Sequence, residues 1–371
     1  MENQDNPRKL INWDLAASTA AKLVPAGPAL SAKEISAAVE NLRHMADAAV
    51  PHVHQITGLE AARDLRDSQV LVVDRASWAK ANTRSFEVML GPAIDSLMEA
   101  RGATVGKTAA KASGAITGTQ LGAILAFLSS KILGQYDPFS ALAPGSNAPS
   151  GGRLLLVAPN ILTVEKELNV EPADFRMWVA LHEQTHRVQF AAAPWLRHHM
   201  MAQIEGLSGQ LLGNMDTLMD RASAAAKSLK DRTGSGQLPE QLPSKGAILD
   251  ILDSPEEKAA VSHITAVMSL LEGHANVVMD AVDASIVPSV KTIRQRFNSR
   301  GKDRGALEKF IRNLLGLDAK MRQYSDGSKF VRAVVAVAGM EGFNRVWESA
   351  EHLPTETEIH DPQLWVQRMG L

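Results

Sequence analysis

Apolar residues recur at helical spacing through "ALSAKEISAAVENLRHMADAAV" (29–50), behind a serine suited to cap a helix start. The same period returns in "EPADFRMWVALHEQTHRVQFAAAPW" and predicts a helix from Pro172 to Ala193. Proline suits a first helical turn, and Pro194 cannot continue the helix. In "SPEEKAAVSHITAVMSLLEGHANVVMDAV" (254–282), Ser254, Pro255 and Glu257 form a capping-box start. There Met268, Glu272, Asn276, Met279 and Asp283 share one helix face, and the chain reads as mostly helical from there to its end. Two runs depart from this period. "DSQVLVVDRASW" (67–78) holds Val70 to Val73 and reads as a short strand or a buried helix start, which periodicity cannot separate. "RLLLVAPN" (153–160) is the best strand candidate and ends at Pro159.

One segment is apolar without being clearly amphipathic. From Ala112 to Ser130 no residue is charged, and Gly114, Gly118 and Gly122 recur every four residues. A membrane helix with a close-packing glycine face is one reading. Thr117, Thr119, Gln120 and the serines dilute the apolarity, and the run is near the minimum spanning length. The expectation is therefore a buried helix whose glycine face admits a neighbour, with no stable membrane insertion. "YDPFSALAPGSNAPSGG" (136–152) reads as an exposed loop, flexible over 138–152, and a second loose segment covers 231–246. The length of 371 residues allows a single domain, or two lobes over about 1–135 and 150–371.

Composition narrows the chemistry. Hydrophobic residues make up 45% and charged residues 22%, as in ordinary globular proteins. The net charge of -2 offers no basic field for nucleic acid. The absence of cysteine excludes disulfides, thiolate zinc sites and a cysteine nucleophile, and it fits a reducing interior. The first residues, "MENQDNPRKLINWDLAAS", lack the basic start and apolar run of a signal peptide, so a cytoplasmic location is expected. The oligomeric state is not legible.

The chemistry-bearing motif is "WVALHEQTHRVQF" (178–190). Four residues make slightly more than one turn, so His182 and His186 project from one helix face and can share a zinc ion. Glu183, one residue round, can take a proton from a water that the zinc acidifies. The extended pattern with a third histidine fails, because Gln189 stands at its glycine position and Ala192 at its histidine position. His198 and His199 lie beyond Pro194. The third ligand must therefore come from elsewhere. Glu272, a carboxylate in an apolar stripe that calls for a cation, is the best candidate, and Gly273 beside it permits close helix approach. His274 is the runner-up ligand, or else a catalytic residue pointing to substrate. Asp280 and Asp283 are candidates to orient His182 or His186. Tyr324 is a candidate oxyanion stabiliser, flanked by Lys320, Arg322 and Lys329, which suit a substrate carboxylate. His44, His52 and His54 read as surface or satisfied histidines. The motif helix also follows a candidate strand, the order in which a strand edge receives an extended peptide beside a metal helix.

Several stretches together resemble the actinobacterial zincin-like proteins regarded as zinc-dependent metalloproteases, which are also associated with biosynthesis of a deazaflavin coenzyme. The resemblance is carried by "VVDRASWAKAN", "ITGTQLGAILAFLSSKILGQYDPF", "DFRMWVALHEQTHRVQF" followed by "PWL", "LLEGHANVVMDAV", "LGLDAKMRQYSDGSKFV" and "FNRVWESAEHLPTETEIHDPQLWVQRM". It spans nearly the whole chain. It implies a mainly α, zincin-like fold with a small β element beside the HExxH helix. In it His182 and His186 match the zinc-ligand positions, Glu183 the catalytic glutamate and Glu272 the third ligand. The expected activity is zinc-dependent hydrolysis of a peptide. The alternatives are a non-catalytic, zinc-stabilised binding or scaffold protein and an amidohydrolase of a small metabolite.

Overall fold

The computed structural model describes residues 11–100, 107–143, 149–213, 254–300 and 317–371, with side chains excepted at 97–100, 107–116, 211–213, 300 and 317–325. The segment 231–246 and the side chain of Tyr324 therefore lie outside the described residues. The chain is mainly helical around one small sheet.

Helix α1 (Trp13–Leu23) is capped by Asn12, and α2 (Ala32–Thr57) by a capping box between Ser31 and Glu34. The α2 helix continues beyond the periodic run of 29–50 and through Pro51. Val53 and Thr57 of its added turns are fully buried, and Gly58 closes the helix in the left-handed conformation at φ 67°. That packing outweighs the one backbone hydrogen bond proline removes.

The ambiguous run at 67–78 is strand β1 (Gln69–Val73), and α3 (Arg75–Ala100) follows directly. The carboxylate of Asp74 accepts the Ser77 N–H at 2.7 Å and so starts that helix. Helix α4 (Lys107–Ser129) holds the uncharged run. Among the described residues no helix is long and apolar enough to cross a membrane. Its glycine face does admit a neighbour. A methyl on Gly118 would stand 2.7 Å from the Asn12 carbonyl oxygen, and one on Gly122 2.6 Å from that of Ala16. Helix α1 lies in that groove.

Strand β2 (Gly134–Asp137) and a 3-10 turn at Phe139–Leu142 replace the front of the expected exposed loop. Composition marked this stretch as loop, but Asp137 anchors it. Its carboxylate accepts hydrogen bonds from Ser85 Oγ at 2.6 Å, Arg153 Nε at 3.0 Å and the backbone N–H groups of Phe139 and Ser140. Tyr136, Asp137 and Ser140 are consequently buried. Strand β3 (Arg153–Val157) is the centre of the sheet, parallel to β1 and antiparallel to β2. Its run Leu154–Val157 is buried on both faces, as an apolar run without alternation requires. Leu154 and Leu156 enter the main core, while Leu155 and Val157 pack with Trp78, Leu125 and Ala126 on the other face. Both edges of β3 are paired, so β3 itself offers no edge to a peptide; the strand beside the motif helix is β2.

After α5 (Ala158–Glu167) come α6 (Pro172–Ala192), which is the motif helix, and α7 (Leu196–Gly213). Helix α8 (Pro255–Ala281) starts at the expected capping box of Ser254 and Glu257. Helices α9 (Val290–Arg300) and α10 (Leu317–Asn344) follow, the latter broken at Gly339 with φ 70°. Short helices α11 (Glu356–His360) and α12 (Pro362–Met369) finish the chain. Helix α8 packs against α6, α7 and α10.

Candidate metal centre

Helix α6 is buried around much of its circumference, so its polar residues need partners. Gln184 donates to the Ala46 carbonyl of α2 at 2.8 Å, and Thr185 to the Leu181 carbonyl one turn back at 2.8 Å. Arg187 donates to the carbonyls of Leu65 and Ser68, each at 2.9 Å. These contacts fix the rotation of α6 and turn His182 and His186 toward α8.

The two imidazoles meet edge to face, with ring centroids 4.9 Å apart at 90°, and their Nε2 atoms are 3.3 Å apart. Glu272, from α8, brings Oε2 to 3.9 Å from His186 Nε2. The ligand atoms of His182, His186 and Glu272 all lie within 4.8 Å of one another, and among the described residues no other group of three His, Asp or Glu does so. This donor set fits zinc. Zinc–nitrogen bonds of about 2.0–2.1 Å at tetrahedral angles separate two ligating nitrogens by about 3.3 Å. The electrostatics fit as well. Burial, then the charge of His186, pushes the His182 imidazole down to about 4, so it is held in the neutral form that ligates.

Glu183 lies against β2 and is 7% exposed. Burial, then the charge of Glu272, pushes its carboxyl up to about 8. A cation held by the neighbouring group would oppose both influences and favour the carboxylate. Gly134 of β2 makes room for it, because a methyl there would stand 2.6 Å from Glu183 Cγ. Tyr136, two residues on, packs on Phe190 of α6 at 5.4 Å.

Glu272 owes its position to glycines. A methyl on Gly273 would stand 2.2 Å from the backbone carbon of Gly327, and one on Gly327 1.9 Å from the Ser269 carbonyl oxygen. The backbones of α8 and α10 thus touch beside the site, the close approach anticipated for Gly273.

The remaining candidates fall elsewhere. His274 is fully buried, stacks on Phe343 at 5.2 Å and lies beside Trp347 at 5.4 Å. Enclosed in this way, it does not point to a substrate, and its contact with the centre is indirect. Burial pushes it down to about 3. Asp280 pairs with Arg332, both more than half exposed, and Asp283 caps the turn at Ser285, so neither orients a histidine of the motif. The residue that does contact His186 is Gln189, whose Oε1 is 3.0 Å from His186 Nδ1. The usable signal was its place three residues after His186, on the same helix face. Lys329 pairs with Asp326 at 3.0 Å. His54 meets Arg63 and Glu60, His44 is exposed, and His199 contacts His263 through nitrogens 2.7 Å apart.

No curated protein matches the chain. A crystal structure of a candidate hydrolase with a novel fold, from Chloroflexus aurantiacus, is 30% identical. It superimposes with a TM-score of 0.65 over 97% of this chain and 99% of that one. The family model described as zincin-like metallopeptidase matches residues 11–366. With that match over nearly its whole length, the chain belongs to the zincin-like metallopeptidase family.

Proposed function

We propose that this protein is a zinc-dependent hydrolase that cleaves peptide bonds. The observation that carries the reading is the convergence of His182, His186 and Glu272 within 4.8 Å, with a buried carboxyl, Glu183, beside them. The two Nε2 atoms and a Glu272 carboxylate oxygen would hold the metal. When bound there, zinc supplies a Lewis acid for the scissile carbonyl and acidifies the attacking water. Glu183 accepts the proton of that water as its oxygen bonds to the carbonyl carbon, then returns a proton to the leaving amine as the carbon–nitrogen bond breaks. A scaffold site has no use for a buried base, which favours turnover over the purely structural alternative. Among the described residues β2 ends the sheet, and its outer edge beside Glu183 suits an extended peptide better than a compact metabolite. The resemblance to actinobacterial proteins near deazaflavin coenzyme synthesis would set the biological context. The cysteine-free composition suits the cytoplasm.

The test combines metal analysis with an unbiased peptide-library digest. Wild type is expected to hold about one zinc per chain and to cleave. Glu183→Gln should keep the zinc and lose about 100- to 10,000-fold in rate, because glutamine is nearly isosteric but cannot accept the proton. Glu272→Ala should lose zinc under a mild chelator. Zinc-loaded wild type that leaves every peptide intact but hydrolyses small amides would move the substrate class. No hydrolysis of either would defeat the enzyme reading.

A further inference from the structure

Gln189 is fully buried, yet its amide touches both helices that carry the metal group. Its Nε2 is 2.8 Å from the Leu271 carbonyl oxygen and 3.0 Å from His274 Nδ1, while its Oε1 is 3.0 Å from His186 Nδ1. The amide has two N–H donors and one carbonyl acceptor. A backbone carbonyl can only accept, so the nitrogen must face Leu271. The oxygen then faces His186, which must donate from Nδ1. That leaves Nε2 of His186 bare, on the side where His182 and Glu272 converge. The second N–H meets His274, whose Nδ1 must accept and whose proton then sits on Nε2, a buried nitrogen with no hydrogen-bond partner among the described residues. Turning the amide over would oppose two oxygens across 2.8 Å at Leu271 and put donors against His186 Nδ1. His186 would then carry its proton on Nε2 and could not ligate.

We propose that Gln189 is the positioning residue of the metal centre. It selects the ligating tautomer of His186 and ties that ring to the peptide immediately before Glu272, with Leu271 and His274 holding the amide the right way round. This rests on the zinc reading above, but its central claim concerns a proton position in the metal-free protein. Hydrogen bonds of this kind fix the tautomer of a metal-ligating histidine and raise its ligand strength.

Long-range proton–nitrogen correlation on full-length, metal-free protein labelled at its 11 histidines reads each tautomer directly. Signals are assigned by the His186→Gln and His274→Gln variants. In wild type, His186 should carry its proton on Nδ1 and His274 on Nε2. Gln189→Leu should release His186 to the other tautomer and weaken zinc about 10- to 100-fold in a chelator competition. Gln189→Glu, fully buried and so held neutral, keeps a carbonyl acceptor toward His186 and an O–H donor toward the Leu271 carbonyl, and should preserve both the His186 tautomer and most of the zinc affinity, a rescue that space-filling alone would not give. His186 found with its proton on Nε2 in wild type overturns the proposal, as does Gln189→Leu with unchanged tautomer and zinc affinity. If Gln189→Leu does not fold, the wild-type spectrum and the Gln189→Glu variant still decide. Wild type with the expected tautomers that takes up no zinc would instead defeat the zinc reading.

Discussion

Replacing Gly134 by alanine should separate metal binding from proton transfer. Gly134 begins β2 and faces Glu183. The added methyl would stand 2.6 Å from Cγ, 2.7 Å from Cδ and 2.8 Å from Oε1 of that residue. Comfortable carbon–carbon contact needs about 3.5 Å or more, so the carboxylate must retreat by about 1 Å. The obstacle is the far end of a flexible side chain, not backbone, so the stability cost falls at the low end of overpacking, about 1 kcal/mol. The catalytic cost is larger, because an error of about 1 Å in a reacting group can cost about 100-fold in rate. His182, His186 and Glu272 are not among the nearest atoms the methyl meets, so zinc content should stay at the wild-type level. The assay measures kcat on the best library peptide, zinc per chain and thermal midpoint on the same preparation. Full turnover would refute the placement of Glu183 as the base. Loss of zinc together with turnover would mean that β2 supports the ligands and not the base alone.

Gly273→Ala should behave differently, because its methyl would meet the backbone of Gly327 at 2.2 Å, where no side chain can swing away. We expect about 3 kcal/mol of destabilisation and weaker zinc binding through the adjacent Glu272; an unchanged denaturation midpoint would contradict the backbone contact. The metal-free protein should also lose stability on both sides of mildly acidic pH. His182 and His274 are held at about 4 and about 3, below their ordinary 6.5, so the unfolded chain binds the extra protons. Stability then falls as pH drops below 6.5, approaching about 1.4 kcal/mol per pH unit for each histidine inside its window. Glu183 is held at about 8, above its ordinary 4.5, so its contribution is complete below 4.5 and is lost as pH rises toward 8. Urea titrations from pH 4 to 9 check both arms, and Glu183→Gln should remove the alkaline one. An alkaline loss that persists in that variant would assign it to another group.

What could be read along the chain was whatever depends on neighbours in sequence. The ends of α6 follow from Pro172 and Pro194, the start of α8 from Ser254 and Glu257, and the pairing of His182 with His186 from the helical repeat. The glycine face of α4 was legible for the same reason, since every fourth residue of a helix lies on one side. The loop expected at 136–152 failed where a long-range contact intervened. Arg153 and Ser85 bind Asp137 and turn a composition typical of loops into a buried edge strand. Asp280 and Asp283, candidates to orient a motif histidine, instead meet Arg332 and Ser285, because spacing gives a face but not what that face meets.

The sequence by itself determined that two imidazoles and a carboxylate would stand on one helix, because a rise of about 1.5 Å per residue and 3.6 residues per turn leave no freedom in their relative placement. It could nominate Glu272 but could not bring it there. That required the α8 and α10 backbones to touch at Gly273 and Gly327, and the Leu271 carbonyl, 82 residues from Gln189, to turn one amide the right way round. Tertiary packing decided these contacts, since each depends on the shape of a surface assembled from distant segments and on pairing buried polar groups such as the Gln189 amide within it.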